Sequence, residues 1–515
     1  MDVLIRADAS ATIGSGHITR TLTLARSLRD AGAAVAFVTR RHAGNLIDLC
    51  RDSGFETMAL EIVTGPPSAE PPPAHAAWLG SSWQEDANAT VAAIVQRATR
   101  PAWLIVDHYA LDERWEQALR PEVERIMVID DLADRRHDCD LLLDQNLVDD
   151  ADERYRDKVS ETCAMMLGPR YALLQPVYAE LHERVAVRAG PIRRVLVWFG
   201  GGDGAGLPQR ALRAFLDLNR PDVACDLVVA TEDPVLDALA HGHRNVRVHR
   251  RLPSLAQLMV DAQLAVGAAG ATSWERMCLG LPAIVVTLGD NQVAIARTLQ
   301  RGGYARWLGA VDAVSDDDLR HALREALDHE ANSRSSRLGW STVDGRGVWR
   351  VRAALLLGEA TPLALRRAAW ADGDLLLEWA NDPETRRRSL GRALIAPQEH
   401  QQWLAARIGS DDCLLLVCET ADGVPLGTVR FERSKDAWQL SYGVGSAYRR
   451  RGLARRMVEL AIVELVRARG PCQITARVMA DNARSHSVFR QLGFEVNAAD
   501  DPMIEYRRAF AARAS

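Results

Sequence analysis

VLIRADASATIGSGHITRTLTLARSLRDAG, residues 3–32, holds a strand, a glycine turn and a helix in one stretch. Residues 3–8 form a short apolar run, the pattern of a strand covered on both faces. From Ile18 the pattern changes. Leu22, Ala25, Leu28 and Ala31 recur at every third position, which predicts a helix closed by Gly32. Between the two lies Gly14-Ser15-Gly16-His17. A loop that only reverses the chain needs no imidazole, so His17 at the helix start is the first candidate functional residue.

The same rhythm continues. Apolar runs at 35–40, 103–109 and 125–131 read as further strands, and a second series stands at 194–206, 225–231, 264–270 and 282–288. Strands alternating with amphipathic stretches imply parallel sheets covered by helices. The reading is α/β: two Rossmann-like domains, 1–185 and 186–357, with ligands bound beyond the carboxyl ends of the strands. The loops at 14–17, 200–203 and 267–272 all follow strands and lie at those ends.

A third block starts near residue 361. It has 23 Lys and Arg against 19 Asp and Glu, whereas the whole chain is at −5. That change of sign marks a separate domain, 361–515. Runs at 414–420, 425–434 and 437–445 are joined by Asp-Gly and Lys-Asp turns, so antiparallel hairpins are expected. Then comes VGSAYRRRGLARRMVELAIVELV, beginning at Val444. Here Arg449, Gly452 and Ala454 lie between a strand and an amphipathic helix, where backbone N–H groups can approach a pyrophosphate. NARSHSVFRQLGFE follows from Asn482.

These motifs resemble the acetyl-CoA-binding segments of the GNAT N-acetyltransferases, over nearly all of 361–515. The resemblance implies a C-terminal α+β domain that uses acetyl-CoA as co-substrate. Arg449, Arg451, Gly452, Leu453 and Ala454 would hold the pyrophosphate. The strand at 441–444, ending at Val444, would splay to admit the pantetheine, and Asn482 would meet the cofactor arm. Many members carry a tyrosine at the position of Phe489, whose hydroxyl protonates the leaving thiolate. Phenylalanine cannot, which leaves Ser485, water or another tyrosine as the acid.

VIDDLADRRHDCDLLLDQN (128–146) and LGPRYALLQPVY (167–178), with RADASATIGSGHITR and LIVDHYALD, resemble the UDP-sugar hydrolase of pseudaminic acid biosynthesis. This resemblance covers about two thirds of the chain. It implies a GT-B arrangement, related to the glycosyltransferase of peptidoglycan lipid II synthesis. It also implies hydrolysis of UDP-2,4-diacetamido-2,4,6-trideoxy-β-L-altropyranose to UDP and the free sugar, with inversion at the anomeric carbon. The family's catalytic base falls on His17. Gly14, Ser15, Gly16 and Arg20 surround it in sequence, and Asp107, His108, Asp130, Asp131 and Asn146 stand at strand ends that could grip the acetamido sugar. In GAAGATSWERMCLGLPAIVVTLGDNQ (267–292), Gly270, Ala271, Thr272 and Ser273 would meet the diphosphate. Glu275 would accept from the ribose hydroxyls, and Asn291 and Gln292 would read sugar or phosphate oxygens. Gly202 lies in a second glycine turn. No metal is expected, because helix starts can meet leaving-group charge.

The chain has 515 residues, 48% of them hydrophobic and 25% charged. Its sequence pI of about 6.3 speaks against a nucleic-acid binder relying on bulk charge. Eight cysteines form no CxxC pair, which points to reduced thiols and a cytoplasmic location. No signal peptide or apolar run of membrane-spanning length is visible. The partners expected are small molecules, UDP-aminosugars and acetyl-CoA. Two other readings stand beside this one: a GT-B glycosyltransferase, or a hydrolase whose GNAT module binds CoA without catalysis.

Overall fold

The computed structural model describes residues 1–63, 73–200, 206–250, 252–330, 332–500 and 502–511. The first sheet has seven strands: β1 (Asp2–Ala7), β2 (Ala34–Arg40), β3 (Glu56–Leu60), β4 (Trp103–Asp107), β5 (Ile126–Ile129), β6 (Leu141–Asp144) and β7 (Ala164–Leu167). They pair in the order β3-β2-β1-β4-β5-β6-β7, all parallel. β1, β4, β5 and β6 are buried along their whole length. Burial on both faces explains why they are almost continuous apolar runs.

One charge interrupts β1. Arg6 is fully buried and donates to Asp8 at 2.6 and 2.9 Å and to Asp86 at 3.2 and 2.7 Å. Arg40 and the Trp115 indole also donate to Asp86, at 2.7 and 3.0 Å. A buried charge is tolerable only when paired in this way. The network ties β1, β2 and the helix Trp83–Val95 together beneath the loop that carries His17.

The second sheet contains β8 (Arg194–Trp198), β9 (Ala224–Val229), β10 (Val246–Arg250), β11 (Leu264–Ala268), β12 (Ala283–Thr287) and β13 (Ala305–Ala310). Its order is β10-β9-β8-β11-β12-β13, again all parallel. Alternate side chains serve two cores. Val195, Val197, Val266 and Ile284 pack with Leu212, Phe215 and Leu323 on one face. Leu196, Ala265 and Val285 pack with Trp274 and Leu299 on the other.

Residues 172–185 follow the first sheet in sequence, yet Ala172, Leu174 and Tyr178 belong to this second core. The chain later crosses back. Arg350 donates to the Arg170 carbonyl at 2.8 Å, and Arg352 donates to Ser27 at 3.2 Å. The two sheets therefore share one compact unit, Met1–Arg352, and Ala353–Ser515 forms another. Within the first unit the strand order reverses between β1 and β4 and between β8 and β11. Such switch points are where parallel sheets open for ligands.

The second unit is one mixed sheet of β14 (Leu363–Arg367), β15 (Cys413–Thr420), β16 (Pro425–Ser434), β17 (Ala437–Val444), β18 (Cys472–Met479), β19 (Glu495–Asp500) and β20 (Met503–Phe510). The order is β14-β15-β16-β17-β18-β20-β19. Only β17 and β18 run parallel, and they pair only over Ala437 to Leu440 against Gln473 to Ala476. Beyond that point residues 441–444 leave the ladder.

Candidate functional site

His17 is buried as the second residue of the helix Gly16–Asp30, at the β1/β4 switch point. The turn before it needs Gly14, which has a φ of +82° and donates its N–H to the Ser10 carbonyl at 2.9 Å. A Cβ added at Gly16 would meet nothing within 4 Å, so the helix start faces open space. His17 Nδ1–H donates to Asp107 Oδ1 at 2.6 Å. That bond fixes the tautomer and leaves the lone pair of the neutral ring on Nε2.

One turn later, Arg20 forks onto Asp107, with Nε at 2.7 Å and Nη2 at 2.6 Å, and its Nη1 donates to Asp131 at 2.6 Å. Burial alone would raise the Asp107 pKa. The Arg20 guanidinium and the His17 ring instead hold it well below the usual carboxylate range. Asp131 also accepts from the Tyr109 hydroxyl at 2.5 Å and Asn146 Nδ2 at 2.8 Å. The Tyr109 ring stands edge-on to His17, with centroids 4.6 Å apart.

The strand-end residues expected to grip a sugar therefore divide. Arg20, Asp107, Asp131 and Asn146 do gather beside His17, but the polar contacts just described run among themselves. This arrangement holds the Nδ1 side of the histidine ring. His108 and Asp130 do not join them. His108 is buried against Asp8, 3.3 Å away, and Asp130 is buried while accepting from the Ala133 N–H and the Tyr155 hydroxyl. Sequence reading missed Tyr109, whose polar tip directly follows Asp107-His108 at the end of β4. It also missed Asp144, which accepts from the Asn146 backbone and side chain at 2.9 and 2.8 Å. Burial, with Asp131 adding to it, pushes the Asp144 carboxyl up to about 7.

The β8/β11 switch point is built differently. Gly267 is obligatory, because a Cβ there would lie 2.3 Å from the Trp198 carbonyl. After β11 the chain enters the helix Thr272–Cys278. Gly270 and Thr272 are half-buried and Ala271 is exposed at this helix start. Glu275 is half-buried. Desolvation pushes its carboxyl up to about 7, against the opposing hydrogen bond from Tyr178. Tyr178 comes from the crossing segment and is a second residue the sequence did not flag.

Ser273 differs from its neighbours at this helix start. Its side chain is buried and accepts from Arg276 Nη2 at 3.0 Å. Arg276 also donates to the Ala268 carbonyl at 2.7 Å, and burial lowers its pKa to about 10. Gln292 Oε1 accepts from the Leu288 N–H at 2.9 Å, whereas Asn291 is exposed. Gly202 lies outside the described residues. Among the described residues no group of three or more His, Cys, Asp or Glu is placed to hold a metal ion, and no helix is long and apolar enough to cross a membrane.

In the second unit, a cavity of about 970 Å³ opens where β17 and β18 part. Val444, Arg449, Gly452, Leu453, Ala454, Asn482 and Ser485 line it. Gly452 starts the helix Leu453–Arg469 with a φ of +68°, a conformation costly for any other residue. The two arginines expected at the pyrophosphate are placed differently from each other. Arg449 pairs with Asp382 at 2.6 Å and Glu384 at 3.2 Å, and donates to the Val444 carbonyl at 3.1 Å, so its charge braces the loop. Arg451 is absent from the cavity lining and donates to the Leu357 carbonyl at 3.4 Å. Asn482 caps the helix Ala483–Gln491 through the Ser485 N–H at 3.2 Å. Phe489 is buried and stacks on Tyr506.

Residues 363–495 match the family model of the acetyltransferase (GNAT) domain. An uncharacterized protein of Methanocaldococcus jannaschii is 21% identical over 509 residues, 96% of this chain and 97% of its own. The UDP-2,4-diacetamido-2,4,6-trideoxy-beta-L-altropyranose hydrolase of Campylobacter jejuni is 25% identical over 308 residues, 59% of this chain and 98% of its own. The structure of MurG from Acinetobacter baumannii aligns with 69% of this chain and 99% of its own, at 14% identity and a TM-score of 0.46. The chain thus joins a region similar to a UDP-sugar hydrolase to a GNAT domain.

Proposed function

We propose that the first unit hydrolyses UDP-2,4-diacetamido-2,4,6-trideoxy-β-L-altropyranose to UDP and the free sugar, and that the GNAT unit N-acetylates the 4-amino form of that UDP-sugar with acetyl-CoA. The observation that carries the first half is the His17–Asp107 pair at the open helix start. It is supported by similarity to the Campylobacter jejuni hydrolase along nearly its whole length.

In this reading His17 Nε2 takes a proton from water as the water oxygen attacks the anomeric carbon. The anomeric C–O bond breaks on the opposite face, and UDP leaves with the bonding electrons. Asp107 stays ionised beside Arg20 and stabilises the imidazolium that forms. On the second sheet, Glu275 meets the ribose hydroxyls, while the backbone at Gly270, Ala271 and Thr272 meets the diphosphate. No step needs a metal. In the GNAT unit, the Gly452–Ala454 backbone holds the CoA pyrophosphate and the gap beyond Leu440 admits the pantetheine arm. Acetylation makes the substrate that hydrolysis consumes, so one chain performs two successive steps.

The test is an incubation of the full chain with the UDP-4-amino-sugar and acetyl-CoA, read by anomeric NMR and mass spectrometry. Free diacetamido sugar, UDP and CoA are expected. A UDP-sugar that stays unacetylated and intact contradicts the substrate assignment.

A further inference from the structure

We propose that Tyr442, relayed by Ser485, is the general acid of acetyl transfer in this chain. The inference rests on the reading of the C-terminal unit as an acetyl-CoA-dependent N-acetyltransferase. Tyr442 lies on the part of β17 that has left β18, two residues beyond the last paired position, Leu440, and lines the cavity there. Its hydroxyl is 2.9 Å from Ser485 Oγ, in the first turn of the helix Ala483–Gln491. Its ring centroid is 6.0 Å from that of Phe489. The phenol thus stands next to the side chain that lacks a hydroxyl and supplies one from the facing strand.

Thioester aminolysis needs a proton at sulfur. The amine nitrogen bonds to the carbonyl carbon, the C–S bond breaks, and the sulfur leaves with the electron pair. Tyr442 gives its hydroxyl proton to that sulfur. Its phenolate is reprotonated through Ser485 and solvent by the proton the attacking nitrogen loses, so reactants and products balance. The other side chains of the lining narrow the choice. It contains no His, Lys or Cys, and its many arginines are too basic to yield a proton. Of the three carboxyls in the lining, Glu384 is held by Arg449 and Arg484, Glu459 lies 3.8 Å from Arg455, and Glu359 is exposed next to Gly358, whose carbonyl accepts from Arg456. Of the two phenols, Tyr448 lies in the turn that leads to Gly452, at the pyrophosphate end, whereas Tyr442 lies midway along the gap. Burial raises the Tyr442 pKa, so it keeps its proton at neutral pH and has one to give.

The full chain is assayed for CoA thiol release with the UDP-4-amino-sugar, and acetyl-CoA binding is measured by calorimetry. In Tyr442→Phe, kcat falls about 100-fold, the scale of general acid catalysis. KM and Kd for acetyl-CoA stay within about twofold, and the solvent deuterium isotope effect on kcat is lost. Ser485→Ala lowers kcat roughly fivefold, the scale of one hydrogen bond, and Ser485→Thr restores it. A Tyr442→Phe variant that turns over at the wild-type rate, or that changes only KM, overturns the proposal. Wild-type protein that releases no CoA contradicts the acetyltransferase reading itself, and this inference falls with it.

Discussion

At the β1/β4 switch point, His17, Arg20, Asp107, Asp131 and Asn146 bond to one another across three strand ends. At the β8/β11 switch point the Glu275 carboxyl stands beside Tyr178 near a helix start, among the described residues. The topology is the same and the electrostatics are opposite. A ring that must present one nitrogen to water needs its other nitrogen held, and the holder must itself stay ionised. That requires paired charges from several strands. On the proposed reading, a diphosphate and a ribose need only backbone N–H groups and one acceptor, which a sparse site can supply.

The largest effect is expected at the dense site. Asp107→Asn puts an amide donor against His17 Nδ1, which favours the tautomer with hydrogen on Nε2 and removes the base. Hydrolysis should fall roughly 1,000-fold, with UDP affinity unchanged by calorimetry. Arg20→Lys comes next. It keeps the charge and loses the planar fork that joins Asp107 to Asp131, so kcat should fall about tenfold while KM holds. Equal activity in both variants would break the claim that these charges form one working unit.

At the sparse site the signature is pH. The folded state holds the Glu275 proton up to about pH 7, against the ordinary 4.5 of a glutamate. Its stabilising contribution is therefore full below pH 4.5 and is lost as pH rises through about 7. Glu275→Gln removes that loss, so its Tm should gain about 2 °C relative to wild type between pH 5 and pH 8. Asp144 adds a loss of the same sign from the dense site, beginning at 3.8. The smallest effect is at Ser273. Ser273→Ala should leave turnover within about twofold and cost about 1 kcal/mol of stability, because its hydroxyl serves Arg276.

The central strands β1, β4, β5, β8, β11 and β12 were legible as apolar runs such as Leu104 to Val106 or Val195 to Val197, whereas the four-residue β6 was not read as a strand. The edges were not legible. β3, β10 and β13 are half-exposed; VRVHR alternates over only a few residues, and ARWLGA has no clear alternation. His17 was legible from its place behind a glycine turn. Its surroundings were legible as residues and not as contacts, because a sequence shows that Arg20 and Asp107 sit at suitable places but not that they face each other. The inward turn of Ser273 and the engagement of Arg449 by Asp382 are side-chain directions, set by packing from distant segments. Tyr442 escaped for the same reason: its partner Ser485 lies across the gap on another element.

The most direct test of the account is UDP release from the diacetamido UDP-sugar by His17→Asn, with folding checked by circular dichroism and UDP binding by calorimetry. The account predicts a fall of at least about 100-fold with binding intact. A folded variant that releases UDP at the wild-type rate would contradict it.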